Sequence, residues 1–318
     1  MTIDHGAIDA CLRGVKTAAL SVHQFPDGDA VGAAYAFAFF LKGMGAEARV
    51  LFDGYNGRYD FLAGSEFVCS GDYAAPAPDV FISLDAASKE RLGEKAAAAL
   101  GRAPKTLNID HHVSNTRFAE TNVVVPGASS TCEIVYNILD KLGALSLEIA
   151  SALYAGIIFD TGGLMHSSVT PDTLNAVSRL VALGIPFNRI YKNTLRSHTL
   201  VEAKIFGTAL GNLAQSPCGR LSWTHVTPGE LKAAGAKKSD LENVAEYMLN
   251  IKGTEISVLF VEKDPDDIKL SFRSVSADVN KLAAVFGGGG HVNAAGASVK
   301  GKLAEVMSAV LANAEGLL

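Results

Sequence analysis

The sequence predicts an α/β protein in which a doubly wound, mostly parallel sheet forms an N-terminal domain and a smaller α+β domain follows it. Two observations predict this fold class. Short β-rich runs alternate with amphipathic helical patterns through the first half of the chain, as in proteins built from βαβ units. The length of 318 residues also exceeds the ~100–200 residues usual for one domain. We expect a first domain at residues 1–190, a helical connector at 191–218 and a second domain at 219–318.

The first domain is predicted to contain four strands and five helices. The strands are the short β-rich runs at residues 17–23, 48–52, 80–85 and 105–110. The helices are expected at residues 29–44, 88–100, 130–142, 147–159 and 170–184. Gly45 suits the left-handed end of the first helix, and Ser130 with Glu133 forms a capping box. Thr170 and Pro171 are typical of a helix start. In such a sheet the functional groups gather at the carboxyl ends of the strands.

The second domain is predicted to be a smaller mixture of strands and helices. The turn Gln215-Ser216-Pro217 ends a polar helix pair at residues 191–214, which we interpret as the connector. Strands are expected at residues 220–226, 255–262 and 268–273, and helices at 239–249 and 278–286. From Arg220 onward the chain has eleven basic and twelve acidic residues, so this domain is not a cationic clamp for nucleic acid.

Composition indicates a globular protein and excludes two classes of partner. Apolar residues make up 48% of the chain and charged residues 19%, which is enough apolar side chain for real cores. Lys and Arg number 28 against 33 Asp and Glu, whereas proteins that bind long nucleic acid are basic. The longest unbroken apolar run, residues 33–41, is half of what a bilayer helix needs. We therefore expect neither long nucleic acid nor a membrane as a partner.

The N-terminus and the cysteines predict a cytoplasmic protein. The first 16 residues carry acids and a histidine before any apolar stretch, unlike a secretory signal. The four cysteines lie far apart without a C-x-x-C pair, and we interpret them as reduced thiols. They are Cys11, Cys69, Cys132 and Cys218.

An acidic motif follows the first predicted strand. Asp27 and Asp29 stand two residues apart, so in extended backbone both side chains project to the same side, while Gly28 lets the chain pass close to a ligand. Two adjacent carboxylates repel each other unless a positive charge separates them, and a divalent cation supplies it. The alternative, a solvated loop with a turn proline at Pro26, explains such a motif on its own.

Further carboxylate and imidazole side chains stand at the ends of other predicted strands and after a predicted helix. Asp85 ends one predicted strand, Asp110-His111-His112 ends the next, and Asp160 follows a helix. A parallel sheet brings its strand ends, His23 among them, to one edge. Carboxylates with a minority of imidazoles suit Mn²⁺ or Mg²⁺. Two such ions can activate water and hold a phosphoryl oxygen, so the sequence predicts a phosphoester hydrolase.

Six motifs together resemble one known family. HQFPDGD, the LD at Asp85, NIDHH, IIFDTGG, FRS and GGGGHVNAAG stand in the order seen in the DHH/DHHA1 phosphoesterases, in particular their nanoRNase branch. The resemblance covers nearly the whole chain. One departure lies before Pro26, where Gln24 and Phe25 replace residues that are often smaller or more polar in that branch.

The resemblance implies a centre of two Mn²⁺ ions, with Mg²⁺ as an alternative. It implies that His23, Asp27 and Asp85 hold one ion, and that Asp85 also bridges to the second. The ligands of that second ion are Asp29, Asp85, His111 and Asp160. His112 is expected beside the phosphate, and Asp110 behind the histidines as an orienting group. Asp85, His112 and Asp110 are thus the predicted catalytic residues.

A glycine run in the second domain is a candidate phosphate site. Gly287-Gly288-Gly289-Gly290 precedes His291, and without a following Gly-Lys-Ser/Thr it is not a P-loop. Its N–H groups can surround an anion, although a flexible turn is the alternative. Arg273 supplies a planar fork for phosphate oxygens. The resemblance places this substrate grip opposite the metals across a cleft. The predicted substrate-binding residues are Arg273, Ser274, Gly288, Gly289, Gly290 and His291.

These observations predict an enzyme for short nucleotide substrates. The resemblance implies hydrolysis of very short RNA or linear dinucleotides to mononucleotides, and of 3′-phosphoadenosine 5′-phosphate to AMP. The net charge of −5 favours the short end of that range. A manganese pyrophosphatase and a nucleotide sensor without turnover are the alternatives. The first is disfavoured by the GGGGH signature, and the second by the complete ligand set. A homodimer is suggested by the Ala- and Phe-rich first helix.

Overall fold

The computed structural model describes residues 3–69, 76–241 and 243–318. The chain divides into two compact units, the first ending at Ser197 and the second beginning at His198. Each unit has hydrophobic cores of its own.

Five parallel strands form the sheet of the first unit, in the order β2-β1-β3-β4-β5. The strands are β1 (Thr17–Ser21), β2 (Glu47–Leu51), β3 (Val80–Leu84), β4 (Thr106–Asp110) and β5 (Thr121–Val124). Leu20 pairs with Ile82 and Ile82 with Leu107, and all three are fully buried. The strand that follows β1 in sequence, β2, lies on one side of it, and β3 lies on the other side. A topological switch point therefore lies between β1 and β3. The predicted doubly wound sheet is confirmed, with β5 as an additional edge strand.

Seven helices accompany this sheet in the described part of the first unit. They are α1 (His5–Leu12), α2 (Gly28–Gly43), α3 (Glu94–Leu100), α4 (Thr131–Lys141), α5 (Leu147–Asp160), α6 (Pro171–Ala182) and α7 (Phe187–Tyr191). The helix predicted at residues 88–100 is shorter, because a 3₁₀ turn at Lys89–Arg91 and an extended Gly93 precede α3. Among the described residues, none of the helices is long and apolar enough to cross a bilayer.

Helix α2 is a core helix and does not supply the dimer face suggested above. It packs against α5, α4 and β2. Ala33, Tyr35 and Phe37 are fully buried, and Phe40 is nearly so. Since the unit itself covers these side chains, the Ala- and Phe-rich pattern reflects burial on every face of the helix. The argument for a homodimer from this helix is therefore wrong.

The second unit has a mixed sheet in the order β10-β11-β9-β8-β7-β6, in which only β7 and β8 pair in parallel. Its strands are β6 (Ala214–Gln215), β7 (Leu221–Val226), β8 (Ile256–Asp264), β9 (Asp267–Ser274), β10 (Gly289–His291) and β11 (Ala294–Lys300). Its helices are α8 (Leu200–Gly211), α9 (Pro228–Ala234), α10 (Val244–Met248), α11 (Val279–Val285) and α12 (Leu303–Glu315). The predicted α+β class of this domain is confirmed. The helix expected at residues 239–249 is instead a 3₁₀ turn at Lys238–Leu241 followed by α10.

Candidate metal centre

The predicted metal ligands gather at the switch point of the parallel sheet. His23 follows β1, Asp85 follows β3, and the histidines after Asp110 follow β4. Asp27 caps α2, and Asp160 ends α5. The crevice outside the carboxyl ends of the strands at a switch point is the usual ligand site of doubly wound sheets.

His23, Asp27 and Asp85 form the first cluster of donor atoms. Nε2 of His23 lies 3.6 Å from Oδ2 of Asp27 and 3.7 Å from Oδ2 of Asp85. Nδ1 of His23 lies 2.8 Å from the carbonyl oxygen of Gln24, so this nitrogen carries the proton and Nε2 is left as a ligand atom. Ligand atoms about 2.1 Å from one ion lie roughly 3–3.5 Å apart, so slight contraction would let these three hold a divalent cation.

His111 joins Asp85 to a second cluster with Asp29 and Asp160. Nε2 of His111 lies 3.6 Å from Oδ1 of Asp85 and 3.5 Å from Oδ2 of Asp160. Ligand atoms of Asp29, His111 and Asp160 all lie within 4.8 Å of one another. Asp85 thus presents Oδ2 to the first cluster and Oδ1 to the second. This geometry fits a carboxylate shared between two ions.

Asp85 is held in a strained conformation at the centre of both clusters. Its φ of 54° lies in the left-handed region, which is uncommon for a residue other than glycine. Its N–H donates to the carbonyl oxygen of Ile109 at 3.0 Å, and the Thr131 hydroxyl donates to its Oδ1 at 3.0 Å. The side chain is almost fully buried. Surrounding structure therefore fixes this carboxylate, as is typical of functional sites.

The N-terminus of α4 fixes Asp29. Oδ2 of Asp29 accepts the Thr131 N–H at 2.7 Å, and Oδ1 accepts the Cys132 N–H at 2.9 Å. A helix N-terminus stabilises a carboxylate placed there. A Cβ at Gly156 would lie 2.2 Å from the Cys132 sulfur and 3.0 Å from Oδ1 of Asp29. Glycine is therefore required where α5 passes this contact.

Asp110 lies behind the histidines and is fully occupied by protein donors. Its Oδ1 lies 2.7 Å from Nδ1 of His112 and accepts the His111 N–H at 2.9 Å. Its Oδ2 accepts the side-chain N–H of Asn115 at 2.5 Å. The carboxyl group is fully buried. This arrangement orients the His112 ring and leaves its Nε2 free to act on a ligand.

Burial and mutual repulsion raise the pKa values of three carboxyl groups. Burial raises the pKa of Asp85 to about 7, and the charges of Asp29 and Asp27 contribute in the same direction. Burial likewise raises the pKa of Asp160 to about 7. Burial and the charge of Asp160 raise the pKa of Asp29 to about 6. A divalent cation would supply the positive charge that this group of carboxylates lacks.

The histidines hold protons more tightly than usual. The hydrogen bond to Asp110 raises the pKa of His112 to about 9. Burial lowers the pKa of His23, but the Asp27 carboxylate outweighs burial and the pKa is raised overall. Burial also lowers the pKa of His111, and nearby carboxylates, Asp29 first, reverse the direction. Metal binding would displace the protons of His23 and His111, because a ligand imidazole must be neutral, whereas His112 keeps its proton through Asp110. The donor set therefore fits one or two Mn²⁺ or Mg²⁺ ions, which would lower the pKa of water and polarise a phosphoryl oxygen.

We expect the metal-free protein to lose stability as the pH rises from about 5 to about 8. The folded-state pKa values of Asp85, Asp160 and His112 lie above their ordinary values, so the folded state binds more protons than the unfolded state in this range. This stabilisation is present at low pH and is lost as the pH rises through the folded-state pKa values of these three groups. The Tm in EDTA should fall by roughly 5 °C between pH 6 and pH 8. Differential scanning calorimetry at both pH values measures it.

Mn²⁺ should reverse this trend, because its ligands bind in their deprotonated forms. The rise in Tm on adding Mn²⁺ should be larger at pH 8 than at pH 6. An equal rise at both pH values would contradict the assignment of these acids and imidazoles as ligands.

Arg273 and Ser274 lie at the end of β9, and only one of the two side chains is accessible to a ligand. Nε of Arg273 lies 3.6 Å from a Glu246 carboxylate oxygen, and Nη1 donates to the Phe272 carbonyl at 2.9 Å. The Ser274 side chain is buried, and its hydroxyl donates to the carbonyl oxygen of Ala277. Arg273 therefore keeps a partly exposed guanidinium, whereas the Ser274 hydroxyl is engaged within the unit.

Close packing in the β10–β11 hairpin explains two of the glycines before His291. A Cβ at Gly288 would lie 2.1 Å from the carbonyl oxygen of Gly296, and one at Gly290 would lie 2.5 Å from that of Ala294. Gly290 also has a φ of 156°. A side chain at either position would collide with the neighbouring strand.

Two N–H groups of the glycine run already have acceptors inside the second unit. The N–H of Gly288 donates to the Ala283 carbonyl at 2.9 Å, and that of Gly290 donates to the Asn280 side chain at 2.8 Å. The His291 side chain is exposed. Within this unit the groups available to a phosphate are thus the side chains of Arg273 and His291 rather than these two backbone N–H groups.

Sequence reasoning missed two residues that support the candidate centre. Asn115 donates to Asp110 and accepts from the Asn108 side chain at 3.2 Å, so it links Asp110 to the interior of the sheet. Thr131 donates to Asp85 through its hydroxyl and to Asp29 through its N–H. Their only sequence signal is position, because Asn115 closely follows the paired histidines and Thr131 directly follows Ser130, the residue that caps α4.

A doubly wound sheet with acids and imidazoles at its switch point defines the class of metal-assisted hydrolases. Family comparison agrees with this class. Residues 18–157 match the N-terminal domain of the DHH family, and residues 227–317 match the DHHA1 domain. The chain belongs to the DHH/DHHA1 phosphoesterases, and it is an enzyme of that family.

Relatives support the same family. The bifunctional oligoribonuclease and PAP phosphatase NrnA of Thermus thermophilus is 30% identical over 287 residues, which cover 89% of this chain and 84% of that protein. An exopolyphosphatase-related protein of Bacteroides fragilis has a TM-score of 0.89 at 26% identity, over 98% of this chain and 96% of the other. RecJ of Thermus thermophilus, solved in complex with Mn²⁺, shares the fold at a TM-score of 0.55 and 14% identity, covering 99% of this chain and 55% of RecJ.

Proposed function

We propose that this protein hydrolyses very short oligoribonucleotides and linear dinucleotides to mononucleotides, and 3′-phosphoadenosine 5′-phosphate to AMP. The observation that carries the proposal is the convergence of His23, His111 and His112 on one buried carboxylate, Asp85, each with a ring nitrogen 3.6–3.7 Å from it. The likeness to the NrnA protein of Thermus thermophilus over most of both chains supports the substrate class.

Two divalent ions, Mn²⁺ or Mg²⁺, are proposed as the resident cofactors. The first cluster, with His23 and Asp27, would hold one ion, and the second, with Asp29, His111 and Asp160, would hold the other. Asp85 would contribute one oxygen to each. The Mn²⁺ complex of RecJ, which shares the fold, supports the choice of metal. Nitrogen donors favour Mn²⁺, since Mg²⁺ prefers an all-oxygen environment.

Different residues of the chain are proposed to have different roles around a bound phosphodiester. Asp110 holds Nδ1 of His112 at 2.7 Å and thereby aims Nε2 at the reacting group. A protonated His112 can donate a hydrogen bond to a phosphoryl oxygen and a proton to the departing 3′-oxygen. Asn115 keeps Asp110 in place, and Thr131 does the same for Asp85. In the second unit, Arg273 and His291 are proposed to bind another phosphate or the nucleoside.

Charge and cysteine chemistry support short substrates and a cytoplasmic location. The net charge of −5 disfavours long polyanions, because their affinity comes from many basic contacts. All four cysteines are free thiols, as in a reducing compartment.

Hydrolysis of RNAs of different lengths tests the proposed function. The purified protein with Mn²⁺ is given 5′-labelled RNA of two, five and about twenty nucleotides, together with 3′-phosphoadenosine 5′-phosphate and pyrophosphate. We expect the shortest RNA to be cleaved fastest and the longest to be nearly inert. Excess EDTA should abolish activity, and Mn²⁺ should restore it better than Mg²⁺. Rapid hydrolysis of pyrophosphate alone would identify a pyrophosphatase, and binding without turnover would identify a sensor.

Replacing Arg273 should weaken the enzyme selectively. Arg273→Ala removes a charged hydrogen-bond donor and should lower kcat/KM for a dinucleotide by about 1.5–3 kcal/mol in transition-state terms. Hydrolysis of bis(p-nitrophenyl) phosphate, a phosphodiester with no nucleoside and no second phosphate for Arg273 to bind, should change little. Lys281→Ala, which removes an exposed cation from α11, is the control. An equal loss on both substrates would mean that Arg273 supports the fold instead.

A further inference from the structure

Three apolar side chains project into solvent beside the candidate metal centre. Val113 is 86% exposed, Met165 is 79% exposed and Phe25 is 76% exposed, the highest values for large hydrophobic residues in the described part of the chain. Scattered exposed apolar residues are ordinary on a protein surface. Here the three most exposed lie next to one site, and we call them the apolar rim.

Each member of the apolar rim follows a proposed metal ligand or catalytic residue in sequence. Phe25 stands midway between His23 and Asp27, so its Cα lies within about 7 Å of the Cα of each. Val113 directly follows His112. Met165 lies in the turn after α5, where its N–H donates to the Thr161 carbonyl at 2.9 Å. Three separate loops thus bring apolar side chains close to the centre.

The Phe25 loop is rigidly held. The Phe25 N–H donates to the Asp53 carbonyl at 2.8 Å, the Gln24 N–H donates to the Arg91 carbonyl at 2.8 Å, and the Gln24 side chain donates to the Asp53 carboxylate at 3.0 Å. The ring lies against Gly54, where an added Cβ would come within 2.4 Å of it. Phe25 is therefore presented in a fixed position before any ligand binds.

The stability of the fold does not explain why Phe25 is held exposed in this conformation. Phe25 has a φ of 54°, a left-handed conformation that is costly for a bulky residue. The ring gains little burial in return, because most of it is exposed. Strain without burial at the edge of a reactive site indicates a function in binding.

We propose that Phe25 stacks on a nucleobase of the substrate, with Val113 and Met165 providing further apolar contact at the rim. This inference rests on the function proposed above. An aromatic face stacks on any base, so it gives affinity without base preference. Polar residues stand next to the rim residues in sequence, Gln24 and Asp27 beside Phe25 and His112 beside Val113, so the apolar contacts are set in a polar surface. Such a mixture suits a small ligand with apolar faces and charged groups better than a dry protein interface.

Removing a base from the substrate tests the stacking directly. Wild type, Phe25→Ala and Phe25→Trp are compared on a 5′-phosphorylated adenylyl dinucleotide and on two analogues that each lack one base. Affinity for a phosphonate-linked dinucleotide is measured by calorimetry in Mn²⁺. We expect Phe25→Ala to lower kcat/KM and affinity for the complete dinucleotide roughly 5- to 150-fold, and Phe25→Trp to restore both. On the analogue without the stacked base, wild type and Phe25→Ala should be equal.

Met44→Ala is the matched control. Met44 is 52% exposed and follows the last residue of α2, about 24 Å from Asp27 at the other end of this 16-residue helix. It should behave as wild type. An equal loss by Phe25→Ala on all three substrates, or no loss on the complete dinucleotide, would overturn the inference. A change in the molar mass of the protein in solution on Phe25→Ala, without the substrate effect, would assign the rim to a second copy of the chain. If wild type does not cleave dinucleotides, the proposed function fails. The ratio of the affinities of wild type and Phe25→Ala for the phosphonate-linked dinucleotide still decides the role of Phe25.

Discussion

Asp85→Asn should abolish turnover of a dinucleotide while leaving the fold intact. Asp85 presents Oδ2 to His23 and Oδ1 to His111, at 3.7 and 3.6 Å, so it is the only described carboxylate within 4 Å of both rings. An amide is neutral and cannot bridge two cations. We expect kcat/KM to fall roughly 10³-fold or more, about 4 kcal/mol in transition-state stabilisation. Steady-state kinetics in Mn²⁺ measures the loss.

The same substitution should raise the stability of the metal-free protein. Burial and the charges of Asp29 and Asp27 already raise the pKa of Asp85 to about 7, so the carboxylate is unfavourable there without a cation. In EDTA at pH 8 the Tm should increase, and the increase caused by Mn²⁺ should be lost. Asp9→Asn, which removes an exposed carboxylate from α1, is the control. A variant that keeps more than about a tenth of the wild-type rate would show that Asp85 does not bridge.

The sheet and the strand-end acids were predictable because their signals are local. The runs that became β1, β3 and β4 are short and β-rich and become almost entirely buried, as parallel strands covered on both faces are, and each leads into a polar residue of the centre. The rule that parallel strands end at one edge then brings His23, Asp85 and His111 together without any knowledge of tertiary contacts.

Features that depend on tertiary contact were not predictable. The Ala- and Phe-rich pattern of α2 has the same appearance whether the covering surface is α5 or a second chain, and only the structure identifies α5. The glycines before His291 suggest an anion site, but Gly288 and Gly290 are also required by the approach of β11. The left-handed φ of Phe25 arises from hydrogen bonds to distant segments, including the Asp53 carbonyl. No local pattern encodes such partners.

Asp110→Asn should reduce turnover nearly as severely as the loss of a metal ligand, although neither oxygen of Asp110 is free to bind a metal ion. Both of its oxygens accept hydrogen bonds, Oδ1 from His112 and the His111 N–H, and Oδ2 from Asn115. An asparagine has one acceptor, so its NH₂ group must face one of these donors in a fully buried site. In either orientation His112 loses the carboxylate charge that holds its proton, because the hydrogen bond to Asp110 is the main cause of its raised pKa.

The leaving group of the substrate separates this role from a structural one. Proton transfer by a positioned side chain contributes about 10²–10⁴-fold, so kcat/KM of Asp110→Asn for a dinucleotide should fall by that factor. Thymidine 5′-p-nitrophenyl phosphate keeps the nucleoside but releases a phenolate that needs no proton, and its hydrolysis should fall much less. Asn115→Ala leaves the carboxylate of Asp110 in place and should give an intermediate loss with the same dependence on leaving group, because it only loosens Asp110. Equal losses on both substrates, together with a lower Tm in Mn²⁺, would mean that Asp110 maintains the fold around the histidines and that His112 does not supply the proton.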